Sequence, residues 1–109
     1  MNYTFNVQEP YKTYLLNWKK TIEWRLNRWK YASLEVWDTL SFESGEIFEI
    51  KNLTYHESFS EMLWIFWKES IIPNAKSDEE AINAYYAFYT PEEEKKFWVI
   101  AIQVNLLTK

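Results

Sequence analysis

The chain has no cysteine. That excludes a disulfide scaffold, thiol chemistry and any cysteine-based metal site. It has one histidine, His56, so a histidine-rich metal centre is excluded and a Ser-His-Asp triad has a single candidate base. No apolar run reaches the roughly 18 residues that a membrane span needs. The opening MNYTFNVQEP lacks a basic start and an apolar signal core. A cytoplasmic, monomeric protein is expected. There is no phosphate-binding glycine loop, no metal-ligand spacing and no nucleophile elbow. Neither a metal nor a cofactor is expected.

Glycine is almost missing too. It occurs once, at Gly45, where average usage of about 7% would give roughly 7 or 8. Tryptophan occurs seven times, and the two types together make up about the ordinary share of glycine. Several tryptophans fall where glycine is the usual choice. Trp37 precedes Asp38 where a strand should begin, Trp29 sits in the polar stretch NRWK, and Trp67 follows the apolar stripe of a helix. An indole gains little burial at such places and cannot easily adopt positive φ.

What is present is one domain over residues 1–109, 48% hydrophobic, with a net charge of −4. Binding of nucleic acid by bulk charge is disfavoured, so any such contact must be local. Residues 2–7 alternate as a strand, with Tyr3, Phe5 and Val7 on one face. Pro10 lies in the first turn of a short helix with Tyr11, Tyr14 and Leu15 as its stripe. Residues 21–26 alternate again, Ile22, Trp24 and Leu26 against Thr21, Glu23 and Arg25. A basic connection over 27–36 leads to strands at 38–43 and 46–54 around Ser44-Gly45. Ser58–Glu61, Ser77–Glu80 and Thr90–Glu93 open helices. Ala81, Tyr85, Phe88 and Tyr89 form the buried stripe of the second. Residues 97–106 read as a strand buried on both faces. This order predicts an α+β fold, a small barrel of five or six strands with two to four helices around it.

The segment WKKTIEWR, residues 18–25, carries the candidate chemistry. Glu23 and Arg25 leave one strand face and Lys20 precedes it, so the three can converge on an anionic or amide-bearing ligand. The same spacing also describes a row of ion pairs on an exposed strand face. Residues 19–30 hold Lys19, Lys20, Arg25, Arg28 and Lys30 against Glu23 alone. With Trp24, Trp29 and Tyr31 interleaved, that window suits a nucleic-acid strand or a solvated loop. His56, just before a helix, reads as an exposed loop residue. The acidic runs at 78–80 and 92–94 suit helix N-terminal turns.

The run W-K-K-T-I-E-W-R resembles the G-x-K-x-x-E-x-R signature of the ASCH domain, in the PUA-like superfamily. Lys20, Glu23 and Arg25 match, and Trp18 stands at the signature glycine. The likeness continues through Glu9–Tyr11, YHESFSEML, IIPNAKS and FYTPEEEKKFWVIAI. It implies a β-barrel with surrounding helices and a cleft that binds RNA or a nucleoside- or nucleotide-like ligand. Lys20, Glu23 and Arg25 would line the cleft, with Tyr11, Trp24 and Arg28 beside them. The alternative it implies is a small hydrolase acting on N4-acylated cytidine or on RNA, with Lys20 and Glu23 as acid and base. In the acylcytidine enzymes the lysine works with a threonine nucleophile and an acidic partner. Here Glu23 stands at the threonine's place and Thr21 lies two residues earlier. Asp78, Glu79 and Glu80 are the region expected to hold the acid. Trp18, Trp24, Trp29, Trp37, Trp67 and Trp98 fall where ASCH relatives commonly carry glycine. One explanation is a gene whose UGA codons mean glycine, translated as though they meant tryptophan. Trp64 fits that count but has no clear glycine counterpart. The other explanation is that the indoles are genuine and reshape the cleft.

Overall fold

The apolar run near the end of the chain organises the fold. In the computed structural model, which describes residues 1–108, this run is β5 (Val99–Thr108). It pairs antiparallel with β4 (Ile47–His56) on one side and β2 (Ile22–Leu26) on the other. β3 (Thr39–Ser41) pairs antiparallel with β4, and β1 (Asn2–Thr4) lies parallel to β3. The spatial order is β1-β3-β4-β5-β2, one sheet curled into a half-barrel. α1 (Tyr11–Leu16) and a 3-10 turn (Trp29–Ser33) flank β2, and α2 (Phe59–Ile65), α3 (Lys68–Ile71), α4 (Asp78–Tyr86) and α5 (Pro91–Phe97) lie between β4 and β5. No helix among the described residues is long and apolar enough to cross a membrane.

β5 is buried on both faces, as its unbroken apolar run requires. Ile100, Ile102 and Val104 join Phe5, Leu40, Phe48 and Ile50 in one cluster. Val99 and Ala101 join Ile22, Trp24 and Leu26 of β2 with Phe59, Met62, Ala81 and Tyr85 of the helices in the other. The period-2 pattern of β2 thus sends its apolar face to the helices. The N-caps hold as expected: Ser58 accepts from the Glu61 N–H and Ser77 from the Glu80 N–H. At Thr90 the reciprocal bond also forms, the Thr90 N–H donating to the Glu93 carboxylate, and such caps contribute about 1 kcal/mol each.

Several expectations need correction. The first strand ends at Thr4, because the chain turns away after Phe5 donates to the Ser41 carbonyl. Among the described residues five α-helices form rather than two to four. The surplus is the single turn Lys68–Ile71, which starts afresh after Phe66 becomes extended. Pro10 is the N-cap of α1 rather than its first helical residue. Phe88 is exposed, because α4 ends at Tyr86 and the helical stripe no longer applies there. His56 is not an exposed loop residue. It is the last residue of β4, 3% exposed, with Nε2 2.8 Å from the Thr54 hydroxyl and Nδ1 3.7 Å from Glu61. The Glu61 carboxylate leans to His56 instead of closing its capping box. Burial lowers the His56 pKa against the opposing pull of Glu61.

Candidate functional site

β2 is an edge strand, and the chain around residues 6–8 and the segment just after α4 border its outer margin. There a groove of ≈ 170 Å³ opens, lined by Asn6, Val7, Gln8, Tyr11, Glu23, Trp24, Arg25, Phe88 and Tyr89. Pockets that enclose a drug-sized ligand are about 300–1,000 Å³, so this groove admits part of such a molecule.

Of the predicted residues Glu23 and Arg25 line the groove and Lys20 lies behind it; Lys20 and Glu23 are buried and Arg25 largely so, rather than ranged along an open face. Lys20 is 1% exposed and Glu23 4%. The Lys20 ammonium donates to the carbonyls of Ile22 and Ile71, the latter at 2.7 Å, and lies 3.4 Å from Glu23 Oε1. Arg25 grips the other oxygen of Glu23, from Nε at 3.2 Å and from its terminal nitrogen at 2.8 Å. The same nitrogen donates to the Asn6 carbonyl, and the guanidinium lies over the Tyr31 ring. Glu23 therefore holds two cations at once. A buried charge persists only when paired and hydrogen-bonded, and this trio meets that condition.

The charge states follow. Burial lowers the Lys20 pKa to about 8, against the raising pull of Glu23. Burial works to raise Glu23, but the Arg25 guanidinium and then the Lys20 ammonium outweigh it and hold the carboxyl below its usual range. Burial also works against the Arg25 charge, and Glu23 more than reverses it. Near neutral pH the trio is thus two cations and one anion. Lys20 lies behind the groove rather than in its lining, where the charged groups are the paired Glu23 and Arg25; the guanidinium suits an anionic or acceptor-rich ligand.

The remaining candidates divide. Tyr11 and Trp24 line the groove. Arg28 does not. It is spent on Glu93 at 3.0 Å and on the Trp29 face, 4.0 Å from guanidinium carbon to ring centroid. Asp78, Glu79 and Glu80 form the first turn of α4, and none lines the groove. Among the described residues, the Thr21 hydroxyl makes no hydrogen bond with Lys20 or Glu23; its backbone N–H donates to the Ser70 carbonyl. Sequence reasoning missed Tyr89 and Phe88 as groove walls, having assigned them to the core. It also missed Glu94, buried on α5, which accepts from the Phe59 N–H at 2.8 Å and the Tyr86 hydroxyl at 2.7 Å. That hydroxyl, buried and held by Glu94, is pushed up to about 12. Glu94 reads in the sequence as one more acid of a helix N-terminus, and only the packing of α5 on α2 turns it inward.

Two solved structures are similar to this chain over nearly its whole length. The crystal structure of hypothetical protein PH0355 matches with a TM-score of 0.93 at 34% identity, covering 98% of this chain and 100% of that one. The solution NMR structure of protein PF0455 from Pyrococcus furiosus matches with a TM-score of 0.85 at 36% identity, covering 98% of each chain. No protein-family model matches the chain, and no curated protein matches it significantly.

Proposed function

The chain belongs to one family with PH0355 and PF0455, and from its groove we propose that it is an ASCH-like module binding RNA or a modified nucleoside. The observation that carries this reading is the buried Lys20–Glu23–Arg25 trio, whose Glu23 and Arg25 line an aromatic-walled groove. Tyr11, Phe88 and Tyr89 give ring faces, and a base stacked on an aromatic side chain contributes about 1–3 kcal/mol. Arg25 supplies charge-assisted donors beside those faces.

A hydrolase is the second reading, favoured by one feature: a lysine lowered to about 8 is poised for proton transfer near neutral pH. Against it, Lys20 is walled off, and Thr21 is not placed as a nucleophile. A thermal-shift panel of single-stranded RNA, nucleosides and N4-acetylcytidine separates the readings. Binding at a ligand concentration 100 times Kd stabilises by about 2.7 kcal/mol. Stabilisation without product, weakened by Arg25→Met, supports the binding module. Turnover of acetylcytidine abolished by Lys20→Ala supports the hydrolase. No shift with any member of the panel overturns both.

A further inference from the structure

Among the described residues, five positions lie at positive φ: Gly45 and four others, Trp18, Trp29, Trp37 and Trp98. Every non-glycine residue in that region is therefore a tryptophan. Asparagine and aspartate, which tolerate it best, occupy none of these positions. Each position is one where chain geometry asks for glycine. Trp18 follows Asn17, the C-cap of α1, at the place where helices commonly end in glycine. Trp98 ends α5 with φ 67 and ψ 178, a combination essentially restricted to glycine. Trp37 is the third residue of a turn closed by the Asp38 N–H on the Glu35 carbonyl at 3.0 Å. Trp29 is the second residue of a turn closed by the Tyr31 N–H on the Arg28 carbonyl at 3.1 Å. Positive φ at these turn positions selects glycine. The four indoles gain little in return, being 44 to 75% exposed.

Trp24 is the buried exception, and it carries its own mark: its indole N–H has no acceptor. The ring fills the inner end of the groove. Its centroid lies 4.9 Å from that of Tyr85 and 5.5 Å from that of Phe59. It also stands 5.9 Å from the Lys20 ammonium. We propose that positions 18, 24, 29, 37 and 98 are glycine in the protein its own cells make, which read UGA as glycine, and that the groove therefore runs on past position 24 to Lys20. Tryptophan and glycine codons differ at one base, so a single decoding rule accounts for all five. Trp67, at φ −72, has ordinary backbone, and neither it nor Trp64 is at positive φ. With glycine at 24, the space of one flat ring opens between Phe59, Tyr85 and Tyr89. The Tyr85 ring stands in its wall, and the hydroxyl of that residue is buried without a partner. On the nucleoside reading above, on which this last step alone rests, that slot takes the base.

Two measurements test the proposal. The first is site-by-site peptide mapping by mass spectrometry of the protein from its own cells, with the five codons sequenced. Glycine at all five, encoded by UGA, is expected. Tryptophan at any of positions 18, 29, 37 or 98 overturns the decoding rule, and tryptophan at 24 overturns the extended groove. The second uses recombinant chains. Trp18→Gly, Trp29→Gly, Trp37→Gly and Trp98→Gly combined should raise Tm by about 10 °C or more, since relief of each left-handed side chain outweighs the entropy that glycine adds to the unfolded chain. An unchanged or lower Tm contradicts the proposal. In that background, Trp24→Gly and, should it fold poorly, Trp24→Ala are treated with an amine-acylating reagent at about pH 8. Lys20 should be labelled in the variant and protected when Trp24 is kept. Protection in all forms refutes the extended groove. None of these readouts uses a ligand, so failure of nucleoside binding would be seen separately.

Discussion

Raising the pH from 8 to 10 should stabilise this protein relative to a variant that lacks the Lys20 amine. The Lys20 ammonium is buried, and burial lowers its pKa from 10.5 to about 8. In the unfolded chain the lysine stays protonated to about 10.4. Between those values the unfolded state binds more protons than the native state, so stability rises with pH. Below pH 8 both states are charged, and the burial penalty of about 3 kcal/mol is felt in full. Integrating from pH 8 to 10 gives a gain of about 2 kcal/mol. Tyrosines add the opposite slope as the pH approaches 10, because burial raises Tyr11, Tyr31, Tyr85, Tyr86 and Tyr89 while their unfolded counterparts ionise there; that slope is common to any two chains that differ only at Lys20. The assay is urea denaturation at a series of pH values, comparing the parent with Lys20→Met. The variant leaves the Ile22 and Ile71 carbonyls without their lysine donor, a loss of about 1–3 kcal/mol each at most. Its absolute stability falls, and its profile should lack the Lys20 rise, so that the parent gains about 2 kcal/mol on it between pH 8 and 10. Parallel profiles for the two chains, at equal m values, would refute the assignment of the slope to Lys20.

Other substitutions follow from the same contacts. Glu23→Gln removes the one anion between two buried cations and should cost about 3 kcal/mol, read as a lower urea midpoint; a loss under about 1 kcal/mol would place the trio among weak surface pairs. Glu94→Ala strands the Phe59 N–H and the Tyr86 hydroxyl and should cost about 2–3 kcal/mol. The same variant should bring the Tyr86 titration, followed by ultraviolet difference absorbance, down toward the ordinary tyrosine range. An unchanged Tyr86 titration would show that Glu94 does not hold that hydroxyl.

Much of this was legible from local rules. Strict alternation over Ile22–Leu26 gave both the strand and its apolar face, and the apolar run at 97–106 located the central strand within two residues at each end. Three Ser or Thr caps marked the helix starts because capping is a short-range interaction. The Lys20–Glu23–Arg25 grouping was also readable, since residues two apart on a strand share a face. What sequence could not supply was depth. Whether a strand face is open or covered depends on residues 6–8 and 88–89, far along the chain, and that decides between an exposed ion row and a buried trio. His56 and Glu94 failed for the same reason: each sits at an element end that looks solvent-facing until α2 and α5 pack. The aromatic walls failed because helical periodicity was carried past Tyr86, where α4 stops. Trp67 was read as a helix-stop position wanting glycine, but α2 ends at Phe66 in an extended conformation that needs no left-handed residue.

The most direct test of the central claim is a titration of fluorescently labelled single-stranded RNA, read by anisotropy at several salt concentrations. It is run on the parent chain and on the chain with glycine at 18, 24, 29, 37 and 98. The account predicts binding that weakens with salt, with a slope of about −0.7 per phosphate contacted. It also predicts loss of binding in Glu23→Gln and Arg25→Met, and competition by free nucleosides for the groove. Binding that ignores both substitutions, or no binding by either chain, would contradict it.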